Sequence, residues 1–247
     1  MIDTAVILAA GLGSRLKKII SDRPKGFLIL GKETIVEESI LKLFNAGIKN
    51  IIIGTGFQSE KYEELVAKYP NILCVKNDVY QNSGSMYTLY NMRDRITSDF
   101  LLLESDLIFE KKGIEYLLKT SWPDVILTSG MTHSHDEVFV EINGNNLLVN
   151  MSKDPNQLKR IYSELVGISK ISYLTFQKLC SFAENAFQKD LMLDYEYALV
   201  GIADDTSIYV KKFEKFLWYE IDDEKQLNQA RNVIYPQIIR RDKDEKN

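Results

Sequence analysis

The segment 4–10, TAVILAA, is an unbroken apolar run of strand length that stops at Gly11, and it narrows the choice of fold more than any other feature. A strand with one wet face alternates, whereas a run with no polar face belongs to a sheet covered on both sides. A second such run, IKNIIIGTG at 48–56, follows TIVEESILKLFNAG. In that intervening stretch Ile35, Val36, Ile40, Leu43 and Phe44 fall on one side of a helix, and Gly47 is placed to end it. Strand, helix, strand is a βαβ unit. The pattern recurs: SEKYEELVAKY carries Tyr62, Leu65, Val66 and Tyr69 at helical spacing, and NILCVKN reads as a strand. SGSMYTLYNMRDR then reads as a helix, DFLLLESD as a strand, KKGIEYLLKT as a helix and DVILTS as a fifth strand. The implied fold is an open α/β sheet, mostly parallel, with helices on both faces.

Beyond residue 136 the pattern changes. EVFVEINGNNLLVNM alternates at Val138, Val140 and Ile142, turns at Asn143-Gly144 and resumes with Leu147 and Val149, a hairpin signature that adds antiparallel pieces to the sheet. Helices are expected at SYLTFQKLCSFAENAF and DYEYALVGIA, strands at TSIYVKKF and FLWYEID, and a last helix from about Asp223 to Ile239. The charged tail RRDKDEKN is expected to fray. No linker-like composition or repeat divides the 247 residues, so one catalytic domain over 1–239 with a tail at 240–247 is expected.

Charge and composition exclude several functions. A net charge of -4 offers no basic face for a nucleic-acid backbone. Arg15, Lys17, Lys18, Arg23 and Lys25 cluster within the first 25 residues, which suits one small polyphosphate better than a duplex. The apolar runs are too short for a membrane span, and AVILAAGLG has only Asp3 as a charge before it, unlike the positive start of a secretory signal. Cys74 and Cys180 each lie in apolar surroundings, so no disulfide framework is expected and a cytoplasmic, reducing setting is the natural one. His133 and His135, with Asp136 nearby, invite a zinc reading, but no third ligand completes a local site and an exposed loop explains them. No G-x-S-x-G elbow points to a hydrolase triad.

Candidate chemistry gathers at strand ends. Gly11-Leu12-Gly13-Ser14-Arg15 follows the first strand, where ligand crevices of parallel sheets form. Leu16 stands where a dinucleotide fingerprint needs its third glycine, and no Gly-Lys-Ser/Thr of a Walker loop follows. The loop is therefore either a tight packing turn or an anion cradle, and Arg15 weighs toward the latter. Lys25, after Pro24 and before the apolar FLIL, is either solvated or presented to a ligand. Asp106 ends one apolar strand; Asp222 ends another and reads equally as a helix cap or a hard-metal ligand. Gln81, Ser83, Gly84 and Ser85 open a helix and offer either ordinary caps or donors to a base and ribose, while Lys153 is an isolated cation near a turn.

Taken together, LAAGLGSRL, DRPKGFLIL, LLLESD and WYEID resemble the nucleotidyltransferases of the sugar-nucleotide pyrophosphorylase superfamily over about residues 3 to 235, and within it the small cytidylyltransferases that activate 2-aminoethylphosphonate or phosphocholine. The resemblance implies a Rossmann-like three-layer α/β/α fold with a mostly parallel mixed sheet and a small hairpin insertion. It implies that Leu8, Ala10, Gly11, Gly13, Ser14 and Arg15 hold CTP, with Gln81, Ser83, Gly84 and Ser85 near base and ribose. Arg15 and Lys25 would be catalytic, Asp106 and Asp222 would bind Mg2+, and Lys153 would face the acceptor's phosphoryl group. DRPKGFL and NSGSMYTL favour 2-aminoethylphosphonate over phosphocholine; a sugar 1-phosphate, or nucleotide binding without catalysis, are the outside alternatives. An acceptor ammonium needs acidic or aromatic surroundings, for which Glu164, Asp194, Tyr195 and Glu196 are candidates against the plain reading of surface or packing residues. A monomer or homodimer without nucleic-acid or membrane partners is expected.

Overall fold

The computed structural model describes residues 2–13, 23–134 and 136–244. The strands are β1 (Thr4–Ala9), β2 (Asn50–Thr55), β3 (Ile72–Lys76), β4 (Phe100–Glu104), β5 (Leu107–Phe109), β6 (Val125–Ser129), β7 (Phe139–Ile142), β8 (Leu148–Ser152), β9 (Ser163–Ile171), β10 (Tyr209–Phe213) and β11 (Trp218–Glu220). The helices described are α1 (Ile35–Asn45), α2 (Ser59–Lys68), α3 (Ser85–Asn91), α4 (Lys112–Lys119), α5 (Tyr173–Ala186), α6 (Tyr195–Gly201), α7 (Glu224–Gln229) and α8 (Tyr235–Asp244).

The main sheet runs β3-β2-β1-β4-β9-β6-β10. Pairs β2–β3, β1–β2, β1–β4 and β6–β10 are parallel, and β9 is antiparallel to both neighbours. Successive side chains of β1 explain its lack of a polar face: Ala5, Ile7 and Ala9 enter one core, Val6 and Leu8 the other. Val36 and Ile40 of α1, Tyr62 of α2 and Leu117 of α4 join the first core, while Leu89 of α3, Leu179 of α5 and Ala198 of α6 join the second. Three layers result, as the resemblance implied.

Local chemistry sets both ends of α1, the second of them at the expected glycine. Thr34 and Glu37 form a reciprocal capping box, and Gly47 takes φ +98 just after the last turn. The β7–β8 hairpin is present, but its left-handed residue is Asn146 (φ 59), not the glycine. Asn143 Oδ1 accepts the N–H groups of Asn145 and Leu147 and thereby closes the turn. The C-terminal region departs from expectation. Its helix is interrupted by a π-type turn at Ala230–Ile234, and α8 runs on through the supposed frayed tail to Asp244. Arg241 binds Glu110 and the Lys215 carbonyl, and Asp242 accepts the Lys111 N–H at 2.9 Å, so that stretch is anchored. Cys74 and Cys180 are free thiols, and burial pushes both up to about 12. Among the described residues no helix is long and apolar enough to cross a membrane.

The topology selects one place for a ligand. From β1 the chain moves outward through β2 and β3, then returns to the other side of β1 at β4. At such a reversal the connections leave β1 and β4 in opposite directions and a crevice opens beyond their carboxyl ends.

Candidate active site

The crevice is floored by the two strand ends. Leu8 is in register with Glu104, and its carbonyl accepts the Ser105 N–H at 3.1 Å. Ala10, Gly11 and Gly13 continue from β1 along the wall of a cleft of about 1100 Å³, counting its open mouth. Gly13 holds φ +57, a left-handed conformation suited to glycine, and Gly11 is exposed. Ser14 and Arg15 lie outside the described residues.

Lys25 enters from a 3₁₀ turn, Lys25–Phe27, that sits tightly on the end of β4. A Cβ on Gly26 would stand 3.0 Å from the Ser105 carbonyl oxygen, so glycine permits that approach. The Lys25 ammonium bonds Asp106 Oδ2 at 3.2 Å and also Asp222 Oδ1. Burial would lower its pKa, but the charges of Asp106 and Asp222 outweigh that and raise it above the usual lysine value.

Two aspartates 116 positions apart meet because of a small ribbon. β5 and β11 pair antiparallel, with Leu107 opposite Glu220 and Phe109 opposite Trp218. Asp106 precedes the first of these residues and Asp222 lies just past the other strand's end, so pairing places both beside the same ammonium. Leu28, Ile108, Tyr219, Ile221 and Leu227 form a third apolar cluster that seats the ribbon. Asp222 is not the helix cap. Asp223 is the N-cap of α7, in a capping box with Gln226, which leaves Asp222 turned to Lys25.

Glu104 and Glu220, which the residue-by-residue reading of the sequence passed over, join Asp106, Asp136 and Asp222 in a carboxylate wall. One oxygen each from Glu104, Asp106 and Glu220 lies within 4.8 Å of the others, as do oxygens of Asp136, Glu220 and Asp222. Burial, then the neighbouring Asp106 charge, pushes Glu104 up to about 7. Burial, then Glu104, pushes Glu196 up to about 8, and burial with Asp106 and Glu104 raises Glu220 well above the ordinary carboxylate range. A signal existed: Glu104-Ser105-Asp106 and Glu220-Ile221-Asp222 repeat the spacing E-x-D at two strand ends, where i and i+2 share a face.

Glu104, Glu196 and Lys153 separate the large cleft from a second hollow of about 540 Å³, counting its open mouth, also lined by Asp136, Glu164, Trp218, Tyr219 and Glu220. Lys153 bonds Asp136 Oδ1 at 2.9 Å; burial lowers its pKa, but Asp136 more than compensates and the net shift is upward. Glu164 lies in this hollow with both oxygens taken by Thr132, through its N–H at 2.6 Å and its hydroxyl at 2.7 Å. Tyr195 does not offer an open ring face. Its ring is buried in the second core, and its hydroxyl donates to Glu104 Oε1 at 2.6 Å. His133 is exposed with φ 57, among no metal-ligand group of the described residues, and His135 lies outside them.

The segment 81–85 is engaged by the protein itself. Ser83 accepts from Asn77 and donates to the Val79 carbonyl; Gln81 is exposed and contacts Tyr80. Gly84, the N-cap of α3, has no capping side chain. The Ser85 N–H and hydroxyl both bond Asp194 Oδ1 at 3.0 Å, the Gly84 N–H reaches the Leu191 carbonyl at 2.8 Å, and the Met86 N–H reaches Leu193 at 3.1 Å. The Gly84 and Ser85 donors are thus bonded to residues 191–194, the Ser83 hydroxyl donates to Val79, and Ser83, Gly84 and Ser85 line the cleft.

Residues 5–147 match the model of the MobA-like NTP transferase domain. The choline-phosphate cytidylyltransferase of Streptococcus pneumoniae is 25% identical over 232 residues, covering 93% of this chain and 97% of that protein. The bifunctional protein GlmU of Methanococcus maripaludis is 29% identical over 177 residues, 71% of this chain but 41% of that longer protein. In fold the chain is similar to the inositol-1-phosphate CTP transferase from T. maritima, with a TM-score of 0.81, 18% identity and 96% of each chain covered.

Proposed function

The chain belongs to the family of MobA-like NTP transferase domains, and we propose that it transfers CMP from CTP to 2-aminoethylphosphonate and releases pyrophosphate. The observation that carries the choice of acceptor is the second hollow. Glu104, Glu196 and Glu220 line it together with Lys153. A lysine beside carboxylates suits a zwitterion, with the phosphonate toward the ammonium and the amine toward the acids. A primary ammonium can donate three hydrogen bonds to such a wall, whereas a sugar 1-phosphate without an amine carries no cation to pair with it.

The donor groups fit a hard cation. Asp106 and Asp222 already share one cationic group, the Lys25 ammonium, and all the nearby ligand atoms are carboxylate oxygens. Asp106 and Asp222 would hold Mg2+, which when bound supplies neutralisation of phosphate charge. The protein's own part is alignment. The glycine loop offers backbone amides to a triphosphate, and Lys25 stands at the junction of cleft and carboxylates, where negative charge gathers as pyrophosphate departs. An acceptor phosphonate oxygen, anionic near neutral pH, attacks the α-phosphorus as the bond to pyrophosphate breaks, so the step needs no general base.

Phosphocholine is the second reading, favoured by the Streptococcus pneumoniae relative and by Trp218 and Tyr219 in the lining of the hollow. Pyrophosphate release should be measured with CTP and 2-aminoethylphosphonate, phosphocholine and a panel of sugar 1-phosphates, and repeated with UTP and dTTP. The highest kcat/KM is expected for CTP with 2-aminoethylphosphonate. A preference for any sugar 1-phosphate would overturn the reading.

A further inference from the structure

Two short helices that meet at the cleft wall forgo their own caps and cap each other. The N-cap of α3 is Gly84, and Asp194, at the N-cap of α6, makes no side-chain bond to its own helix. Asp194 Oδ1 instead accepts two bonds from Ser85, and the Ser85 hydroxyl oxygen accepts the Tyr195 N–H at 2.9 Å. The approach is close enough that a Cβ on Gly84 would lie 2.2 Å from the Leu193 carbonyl oxygen. Immediately beyond the junction, Tyr195 donates to Glu104, and Glu196 lines both the cleft and the second hollow.

From this exchange of caps we infer that Ser85 and Asp194 are a positioning pair for the transfer reaction, not ligands of the base and the acceptor amine. A carboxylate accepting two donors makes a strong, directional tether. That tether fixes the first turn of α6 against α3, and the same turn carries the Tyr195 hydroxyl and the Glu196 carboxylate. Nucleotide side and acceptor side are thereby held in one geometry. The kinetic consequence rests on the transferase reading; the structural one does not.

The decisive comparison is Asp194→Ala against Asp194→Asn, with Ser85→Ala and the double variant S85A/D194A alongside. Asparagine keeps the Oδ1 acceptor and loses the charge. A positioning role predicts that Asp194→Ala and Ser85→Ala each lower kcat/KM for the acceptor, by up to about 10²-fold for a displacement of about 1 Å. KM for CTP should change less, the double variant should resemble either single one, and Asp194→Asn should recover most of the loss. If Asp194→Asn is as impaired as Asp194→Ala, or if the two single losses multiply, the inference is overturned in favour of direct ligand contact. Amide hydrogen exchange provides a readout independent of any substrate. Residues 84–86 and 195–198 should exchange faster in Asp194→Ala and in Ser85→Ala than in wild type or Asp194→Asn, and unchanged exchange in both alanine variants would also overturn it. Should the wild-type protein release no pyrophosphate with any donor and acceptor, the transferase reading fails while the exchange experiment still decides the pair.

Discussion

Replacing Glu196 by Gln should change how stability depends on pH. The folded protein holds this carboxyl up to about 8, from a reference of 4.5, through burial first and the nearby Glu104 charge second. Between those values the native state binds more protons than the unfolded chain, so stability falls as pH rises through the window and the loss is complete above about 8. A shift of that size corresponds to about 5 kcal/mol. Glu196 lines a cleft with an open mouth and shares its penalty with Glu104, so about 2 kcal/mol should remain measurable after screening. Glutamine cannot ionise. The stability difference between Glu196→Gln and wild type should therefore grow by about 2 kcal/mol from pH 5 to 8.5, or about 4–8 °C in Tm for a chain of this size. Urea and thermal unfolding in EDTA, at half-unit pH steps, measure it; taking the difference cancels every other titrating group to first order. Parallel curves, or a wild type that gains relative to the variant as pH rises, would refute the physical picture of the carboxylate wall.

Lys25→Ala should lower kcat by about 10²- to 10³-fold, since it removes fixed charge stabilisation at the reacting phosphate, and a kcat near wild type with CTP and Mg2+ would contradict the assignment. The same variant leaves Asp106 and Asp222 facing each other without their ammonium, which predicts a loss of about 3 kcal/mol in EDTA, partly restored by Mg2+ in a thermal shift assay. Asp222→Asn should remain folded and require a far higher Mg2+ concentration for half-maximal rate; an unaltered Mg2+ titration would remove Asp222 from the metal site. Gly84→Ala should cost at least about 1–3 kcal/mol in urea unfolding, because its Cβ meets the backbone oxygen of Leu193 at 2.2 Å.

The parts of the fold written as local pattern were legible in the sequence. Doubly buried strands such as β1 and β4 announce themselves as unbroken apolar runs, and the capping box at Thr34 and the glycine after α1 mark helix ends. The end of β4 likewise drew attention to Asp106, and Pro24 with the apolar run after it to Lys25. The ribbon was not legible. β5 has three residues and its partner lies more than a hundred positions away, so no periodicity could reveal that Asp106 and Asp222 share one ammonium. Asp194 and Ser85 were singled out for their chemistry, but a charge that a ligand needs looks the same in sequence as one that another helix uses. Glu104 and Glu220 lay inside motifs already noticed and were passed over because glutamate is usually a surface residue. The charges after Arg240 read as solvated, while Arg241 and Asp242 have partners at Glu110 and Lys111, more than a hundred positions away.

The β5–β11 ribbon also bears on the order in which the molecule can assemble. The segment shared with the MobA-like family, residues 5–147, contains the glycine loop, Lys25 and Asp106, while Asp222 arrives from the far side of β9 and β10. Closing that contact joins positions separated by almost half the chain, and long-range closures of this kind come late because their entropy must be met before their contacts form. The parallel core can thus consolidate before Asp222 reaches Lys25. In refolding, regain of helix and sheet signal should precede regain of Mg2+-dependent stabilisation, with the interval set by how fast a three-residue strand finds its partner.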